Sequence, residues 1–210
     1  MESIRGKTAL AIDAAGLAAR QGRYPHTCLD IGTGDGHFVR ALAKLEPDWF
    51  VIGMDACREN LRRASRSDLP NVVYLIGSAQ ALPIELAGRA DRLTINFPWG
   101  SLLGSLLTGD PALMGGLLSV SRPGAKLEVR LNAEALSGSG TNLSRGTATI
   151  SQVFEGCGAQ VRSVHSLGPA ELLSFPSTWA HRLAFGRDPR ALTLELDLPG
   201  SVRQRNQLEN

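Results

Sequence analysis

Two acids, three glycines and two tryptophans mark where this chain could do chemistry. In LDIGTGDGHF (residues 29 to 38), Asp30 lies at the end of an apolar run, and Gly32, Gly34 and Gly36 follow at alternate positions. Glycines spaced this way allow a tight turn and expose backbone N–H groups to a ligand. The GxGxG spacing is not the GxGxxG that cradles a dinucleotide pyrophosphate, which counts against a nicotinamide oxidoreductase. A carboxylate just ahead of the turn would repel a pyrophosphate and attract a cationic amine. A second acid, Asp55, closes the run WFVIGMD, where residue type alone suits a helix N-cap for ACRENLRR.

The tryptophans lie far apart. INFPWGSLL puts Asn96, Pro98 and Trp99 at the end of another apolar run, and SFPSTWAHRLAFGR carries Trp179 with Arg182 and Arg187 close behind. An aromatic face with nearby cations suits a nucleobase and its phosphates, and two indoles could clamp one flipped base. Trp49 begins a strand and reads as a packing residue.

These residues need a rigid frame. TCLDIG (27 to 32), WFVIGMD (49 to 55) and NVVYLIG (71 to 77) are continuously apolar, as parallel strands covered on both faces are. Helical patterns separate them, the first beginning near Gly36. A fourth strand is predicted over RLTINF, then helices from about 101 to 120 broken at TGDP, and a fifth strand in KLEVRL. A helix over ATISQVFEGCG, a strand AQVRSVHSL, a connector from 168 to 190 and an alternating, half-exposed strand ALTLELDL near a sheet edge complete the pattern. The fold class is α/β, a doubly wound sheet whose last strand runs antiparallel. One domain is expected over residues 1 to 210, with 1 to 26 as an N-terminal extension, 137 to 146 (SGSGTNLSRG) as a mobile loop and the tail SVRQRNQLEN frayed.

Composition narrows the function. Net charge is only +2, so overall charge does not announce a nucleic-acid partner, although all but three of the 22 cationic side chains are Arg. Arginine suits phosphates and bases. Cys28, Cys57 and Cys157 form no CxxC pair, which points to a reducing cytoplasm. The four histidines are scattered without metal-ligand spacing, so no metal is expected. No apolar run approaches eighteen residues, so no membrane span is expected either.

The glycine turn resembles motif I of class I S-adenosylmethionine-dependent methyltransferases. DIGTGDG, FPWGSLL and STWAHRLAFGR together resemble, over roughly residues 27 to 198, the aminoglycoside-resistance 16S rRNA (adenine(1408)-N(1))-methyltransferases. That resemblance implies a Rossmann-like, seven-stranded sheet and S-adenosylmethionine as methyl donor. It implies that Asp30, Gly32, Thr33, Gly34 and Asn96 bind the donor, that Asp55 holds its ribose, and that Ala79, Gln80 and Leu82 lie near its adenine. Trp99 and Trp179 would stack a flipped adenine of the small ribosomal subunit, with Ser177 lining the pocket. Arg182, Arg187 and Arg145 would contact rRNA, as would Arg62, Arg63 and Arg66, where the family's basic stretch is shorter here; by residue type alone those three suit a solvated helix face. A monomer is expected. Adenine N1 has an in-plane lone pair, so transfer needs positioning and no protein base. FPW also resembles the motif of tRNA guanine-N7 methyltransferases, and a non-catalytic rRNA-binding module is the other reading left open.

Overall fold

The apolar runs become strands because each is flanked by segments that cover both of its faces. In the computed structural model, which describes residues 1 to 199, β1 (Glu2–Arg5) and β2 (Thr8–Ala11) precede α1 (Ala14–Gln21), and β3 (His26–Ile31) follows. Thr27 to Ile31 are all buried. Next come α2 (His37–Leu45), β4 (Trp49–Asp55), α3 (Arg58–Ala64), β5 (Val72–Ile76) and β6 (Ala90–Asn96). The second half consists of α4 (Gly100–Thr108), α5 (Pro111–Val120), β7 (Ser121–Asn132), α6 (Ala133–Gly138), α7 (Leu143–Gly156), β8 (Gln160–Leu167), α8 (Pro169–Ser174), α9 (Thr178–Gly186) and β9 (Ala191–Asp197).

These strands form one sheet in the order β2-β1-β5-β4-β3-β6-β7-β9-β8. From β5 to β7 the pairings are parallel, with Leu29 of β3 level with Ile52 on one side and Leu93 on the other. Helix α2 turns Phe38, Val39, Leu42 and Ala43 inward, and with Leu61 and Ala64 of α3 it covers one face. Leu17, Leu103, Leu106, Leu117, Ile150 and Phe154, from α1, α4, α5 and α7, cover the other. The chain moves outward from β3 through β4 to β5, then returns across to β6. That reversal opens a crevice beyond the carboxyl ends of β3 and β6, where folds of this kind bind ligands.

The sheet departs from the sequence expectation in several places. It has nine strands rather than seven, because the N-terminal segment forms the β1–β2 hairpin and β1 pairs antiparallel with β5. The last strand is antiparallel as expected, but β9 lies between β7 and β8. ALTLELDL is therefore not half-exposed: Leu192, Leu194 and Leu196 join the large core, and Ala191 and Thr193 are also buried. The short polar alternate positions mimic an exposed face that the fold in fact covers. SGSGTNLSRG does not form a loop throughout either, since α6 runs to Gly138 and Asn142 caps α7 by accepting the Arg145 N–H at 2.9 Å. The connector holds two short helices, α8 and α9, separated at Pro176. The tail SVRQRNQLEN lies outside the described residues.

Gly36 sets how closely α2 can approach its neighbours. Its φ is +69°, and an added Cβ would lie 2.6 Å from the Ala64 Cβ and 2.8 Å from a Tyr74 ring carbon. Gly34, at φ +56°, has nothing within 4 Å of the same position. Gly36→Ala should therefore destabilise the fold by about 2–5 kcal/mol, left-handed strain plus overpacking. Gly34→Ala should cost about 1–2 kcal/mol from strain alone. Urea denaturation of both variants checks the difference.

Candidate active site

The crevice at the sheet's reversal is a cavity of about 570 Å³, within the range of small-molecule sites. One wall is the glycine turn. The N–H groups of Gly32 and Thr33 both donate to the Met54 carbonyl, at 2.9 and 3.0 Å, which fixes the turn to β4. Asp55 then reaches back: its Oδ2 accepts the Gly34 N–H at 2.8 Å, and its Oδ1 accepts from Cys57 N at 2.8 Å and from Asn60 Nδ2 at 3.3 Å. Cys57 rather than Asp55 is the N-cap residue of α3, so Asp55 joins the turn to the approach of that helix while lining the cavity.

The floor is a buried polar chain. Asp30 is 1% exposed, and its Oδ1 accepts from Thr94 Oγ1 at 2.7 Å and Asn96 Nδ2 at 2.8 Å. The Asn96 carbonyl oxygen accepts from Arg130 Nη1 at 2.8 Å, and Arg130 Nη2 donates to Glu128 at 2.6 Å. Arg92 holds the other Glu128 oxygen, also at 2.6 Å. Burial pushes the Asp30 carboxyl up to about 6, against the opposing effects of the Thr33 hydroxyl, the two hydrogen bonds and the Arg130 charge. Sequence reasoning missed Arg130 and Thr94. Their strand positions show which way they face only once β6 and β7 are paired, with Thr94 opposite Glu128 and Asn96 opposite Arg130.

The opposite wall is aromatic. Phe97 has φ of 51°, the one positive value for a non-glycine among the described residues, and it stands before a proline, where backbone freedom is already restricted. Such a conformation costs about 1–3 kcal/mol and persists only where its surroundings fix it. Here the Phe97 N–H donates to the Arg130 carbonyl at 2.8 Å, and its buried ring meets Phe175 edge-on at 5.8 Å between centroids. Phe175 also stacks on Phe38 at 5.4 Å and lies 4.5 Å below the Arg130 guanidinium carbon. This kink puts Trp99 at the mouth of the cavity as the N-cap residue of α4, 40% exposed.

Trp179 comes from α9, whose Ala180 and Leu183 pack with Phe97, Leu172 and Ala191. Ser177 caps that helix by accepting the Trp179 N–H at 3.2 Å, and Thr178 Oγ1 donates to Asp35 Oδ2 at 2.5 Å, joining the connector to the glycine turn. The two indoles meet edge to face, with centroids 5.1 Å apart and planes at 79°. The Arg187 guanidinium lies 4.8 Å from the Trp179 ring centre and pairs with Glu134 at 2.8 Å; Arg182 is 5.7 Å from that ring. The two rings leave no room for a base between them in this arrangement: a base between parallel rings needs centroids about 7 Å apart, twice a carbon contact distance.

Most of the predicted residues converge. Asp30, the Gly32–Gly34 turn, Asp55, Ala79, Gln80, Asn96, Trp99, Ser177, Trp179 and Arg182 all line the cavity. The Gln80 amide is already engaged, accepting from Ser78 Oγ at 2.6 Å and donating to Ser105 Oγ at 2.9 Å. Leu82 is not in the lining; it packs against the large core, close to Gly116. The remaining arginines also lie outside it. Arg62, Arg63 and Arg66 are exposed, with Arg62 paired to Glu59 at 3.2 Å, and Arg145 is exposed on the first turn of α7.

The donor set suits a cationic amino acid joined to a nucleoside. Asp30 offers a carboxylate, and Thr33 has a buried Oγ1 without a well-formed hydrogen bond among the described residues. At Gly34 the open space leaves room for a ligand against the backbone. The buried Trp179 Nε1 also has no hydrogen-bond partner among the described residues, which is uncommon in a finished core.

Comparison with known proteins agrees with this chemistry. Residues 2–197 match the family model NpmA, described as 16S rRNA (adenine(1408)-N(1))-methyltransferase. A protein of that name from Streptoalloteichus hindustanus is 30% identical over 204 residues, 90% of this chain and 94% of its own. Among solved structures, the 16S rRNA methyltransferase KamB superposes with a TM-score of 0.86 at 28% identity, over 95% of this chain and all of that one. The aminoglycoside resistance methyltransferase NpmB1 gives 0.78 at 31%, over 94% and 98%.

A cationic ligand held by the buried carboxyl would bind with a pH dependence. The carboxyl's folded pKa is raised, so the native state holds the extra proton between about pH 4 and 6, and stability falls as pH rises through that window. A cationic ligand needs the ionised form. S-adenosylmethionine affinity, measured by calorimetry, should therefore fall as pH drops through about 6 and lose that dependence in Asp30→Asn. Arg130→Met, which removes a charge that lowers the Asp30 pKa, should move the midpoint upward.

Proposed function

The chain belongs to the 16S rRNA (adenine(1408)-N(1))-methyltransferase family, and from that premise we propose that it methylates N1 of adenine 1408 in the small ribosomal subunit, giving aminoglycoside resistance. The observation that carries the reading is the meeting of two indoles, 80 residues apart in the chain, over a cavity floored by a buried carboxylate. When bound, S-adenosylmethionine supplies a methyl group on a positively charged sulfur, open to attack by a lone pair. Asp30 would hold its ammonium group, Thr33 and the glycine turn its methionine end, Asp55 its ribose, and the chain around Ala79 and Gln80 its adenine.

The protein's remaining task is positioning. Among the described residues, no His, Lys or Cys lines the cavity, consistent with a nucleophile whose lone pair needs no base. Edge-to-face contact between the indoles keeps the base slot shut until RNA arrives. Trp99 is the exposed partner, whereas Trp179 is backed by Arg187 and has its backbone N–H held by Ser177. Trp99 is therefore the ring that turns, and the extruded adenine takes its place against Trp179. Flipping costs a few kcal/mol, which two stacked faces, each contributing about 1–3 kcal/mol, can offset.

Arg182, at the cavity rim, would take the phosphate beside the flipped base. Arg187 would steady Trp179 from behind and meet the backbone with its exposed edge. Arg62 and Arg63 follow Asn60 of the cavity lining along α3 and, with Arg66 just past the end of that helix and with Arg145, would contact rRNA farther out. The enzyme works as a monomer in the cytoplasm, on assembled subunits, without a metal. No single described helix is long and apolar enough to cross a membrane.

Trp99→Ala and Trp179→Ala should each abolish methylation of intact small subunits, read as loss of the reverse-transcriptase stop at adenine 1408. Calorimetric affinity for S-adenosylmethionine should stay within about twofold of the parent, because the donor's polar contacts are untouched. Wild-type methylation by either variant would disprove the clamp.

A further inference from the structure

We propose that the outer face of α9 is a second nucleotide subsite, which receives the RNA nucleotide adjacent to the flipped adenine. The inference rests on the function proposed above and extends it from Arg182 to the rest of this helix face. Thr178, His181, Arg182 and Phe185 recur at i, i+3, i+4 and i+7, so they share one face of the helix. That face borders a cavity of about 520 Å³, completed by His37 and Pro176.

Phe185 is 77% exposed, while Ala180 and Leu183 on the other side of α9 are fully buried. Its ring therefore takes no part in seating the helix. A lone exposed aromatic needs no explanation, but this one has specific company. Arg182 lines both this cavity and the larger one, as do Ser177 and Thr178, so the two hollows adjoin at these residues. His37 and His181 add ring nitrogens, and among the described residues no carboxylate lines the groove. Asp35 is occupied by the Thr178 hydroxyl. An open aromatic face beside a guanidinium matches a base and its phosphate. A strand that delivers one base to the Trp99–Trp179 slot has its next nucleotide within reach of this groove.

The test compares Phe185→Ala, Phe185→Leu and Phe185→Tyr with the parent for binding to small subunits from a susceptible bacterium, with S-adenosylmethionine affinity as control. Phe185→Ala and Phe185→Leu should weaken subunit binding by about 5- to 150-fold, the contribution of one stacked base. Phe185→Tyr should bind like the parent, and all three should bind S-adenosylmethionine normally. Parent-like binding by Phe185→Ala, or full recovery with Phe185→Leu, would overturn the subsite. A photo-crosslinking phenylalanine analogue at 185 should mark a nucleotide adjacent to the methylated adenine; a crosslink to a ribosomal protein would overturn the proposal. If the parent methylates adenine 1408 while Phe185→Ala is unimpaired, only the subsite fails. If the parent does not bind subunits, both readings fail.

Discussion

A carboxylate with almost no access to water is the constraint on which this molecule is arranged. Asp30 is held by Thr94 and Asn96 on the adjacent strand, and Asn96 is oriented in turn by Arg130 on the next. Three neighbouring strands thus contribute one residue or more to a single polar chain through the middle of an apolar sheet. Such a chain is stable only when every member is satisfied, so its geometry fixes the register of the strands as well as the charge beneath the cavity. Arg130 extends the same constraint upward, since its backbone carbonyl receives the Phe97 N–H and its guanidinium lies over Phe175. The buried carboxylate and the aromatic wall are therefore positioned by one side chain.

Much of this was legible because it is local. The strands announce themselves as unbroken apolar runs, and the glycine turn is written in consecutive residues. Asp30 and Asp55 stand at strand ends that any reader of periodicity would mark. What escaped depends on pairing between distant segments. Thr94 and Arg130 look like ordinary alternating strand residues, and nothing in either neighbourhood shows that they meet through Asn96. The β1–β2 hairpin was hidden by its four-residue strands, and β9 was misread because small or polar residues occupy its second covered face.

The tryptophans show both sides of that limit. Their residue types and flanking arginines suggested a nucleobase site, and the fold does bring them together. Their relative orientation could not be read from the chain, because it depends on Phe97 in a left-handed conformation, on α9 seated against Phe97, and on Arg187 over one indole face. Arg187, which the resemblance assigns to RNA, has Trp179 and Glu134 as its partners within the protein. Cations beside aromatics can serve the protein before they serve a ligand.

The insertion of β9 between β7 and β8 has a consequence for how the molecule comes into being. Synthesis delivers the N-terminal strands first, yet β8 cannot join the sheet until the segment that separates it from β7 has been made. The two connector helices are suspended between β8 and β9 and have no fixed seat before then. Trp179 is among the last groups to find its place, and closing these long-range pairings is the slow part of folding. A nascent chain bearing the complete glycine turn would still lack the aromatic wall that α9 completes. Competence to methylate is thus withheld until β9 has been translated.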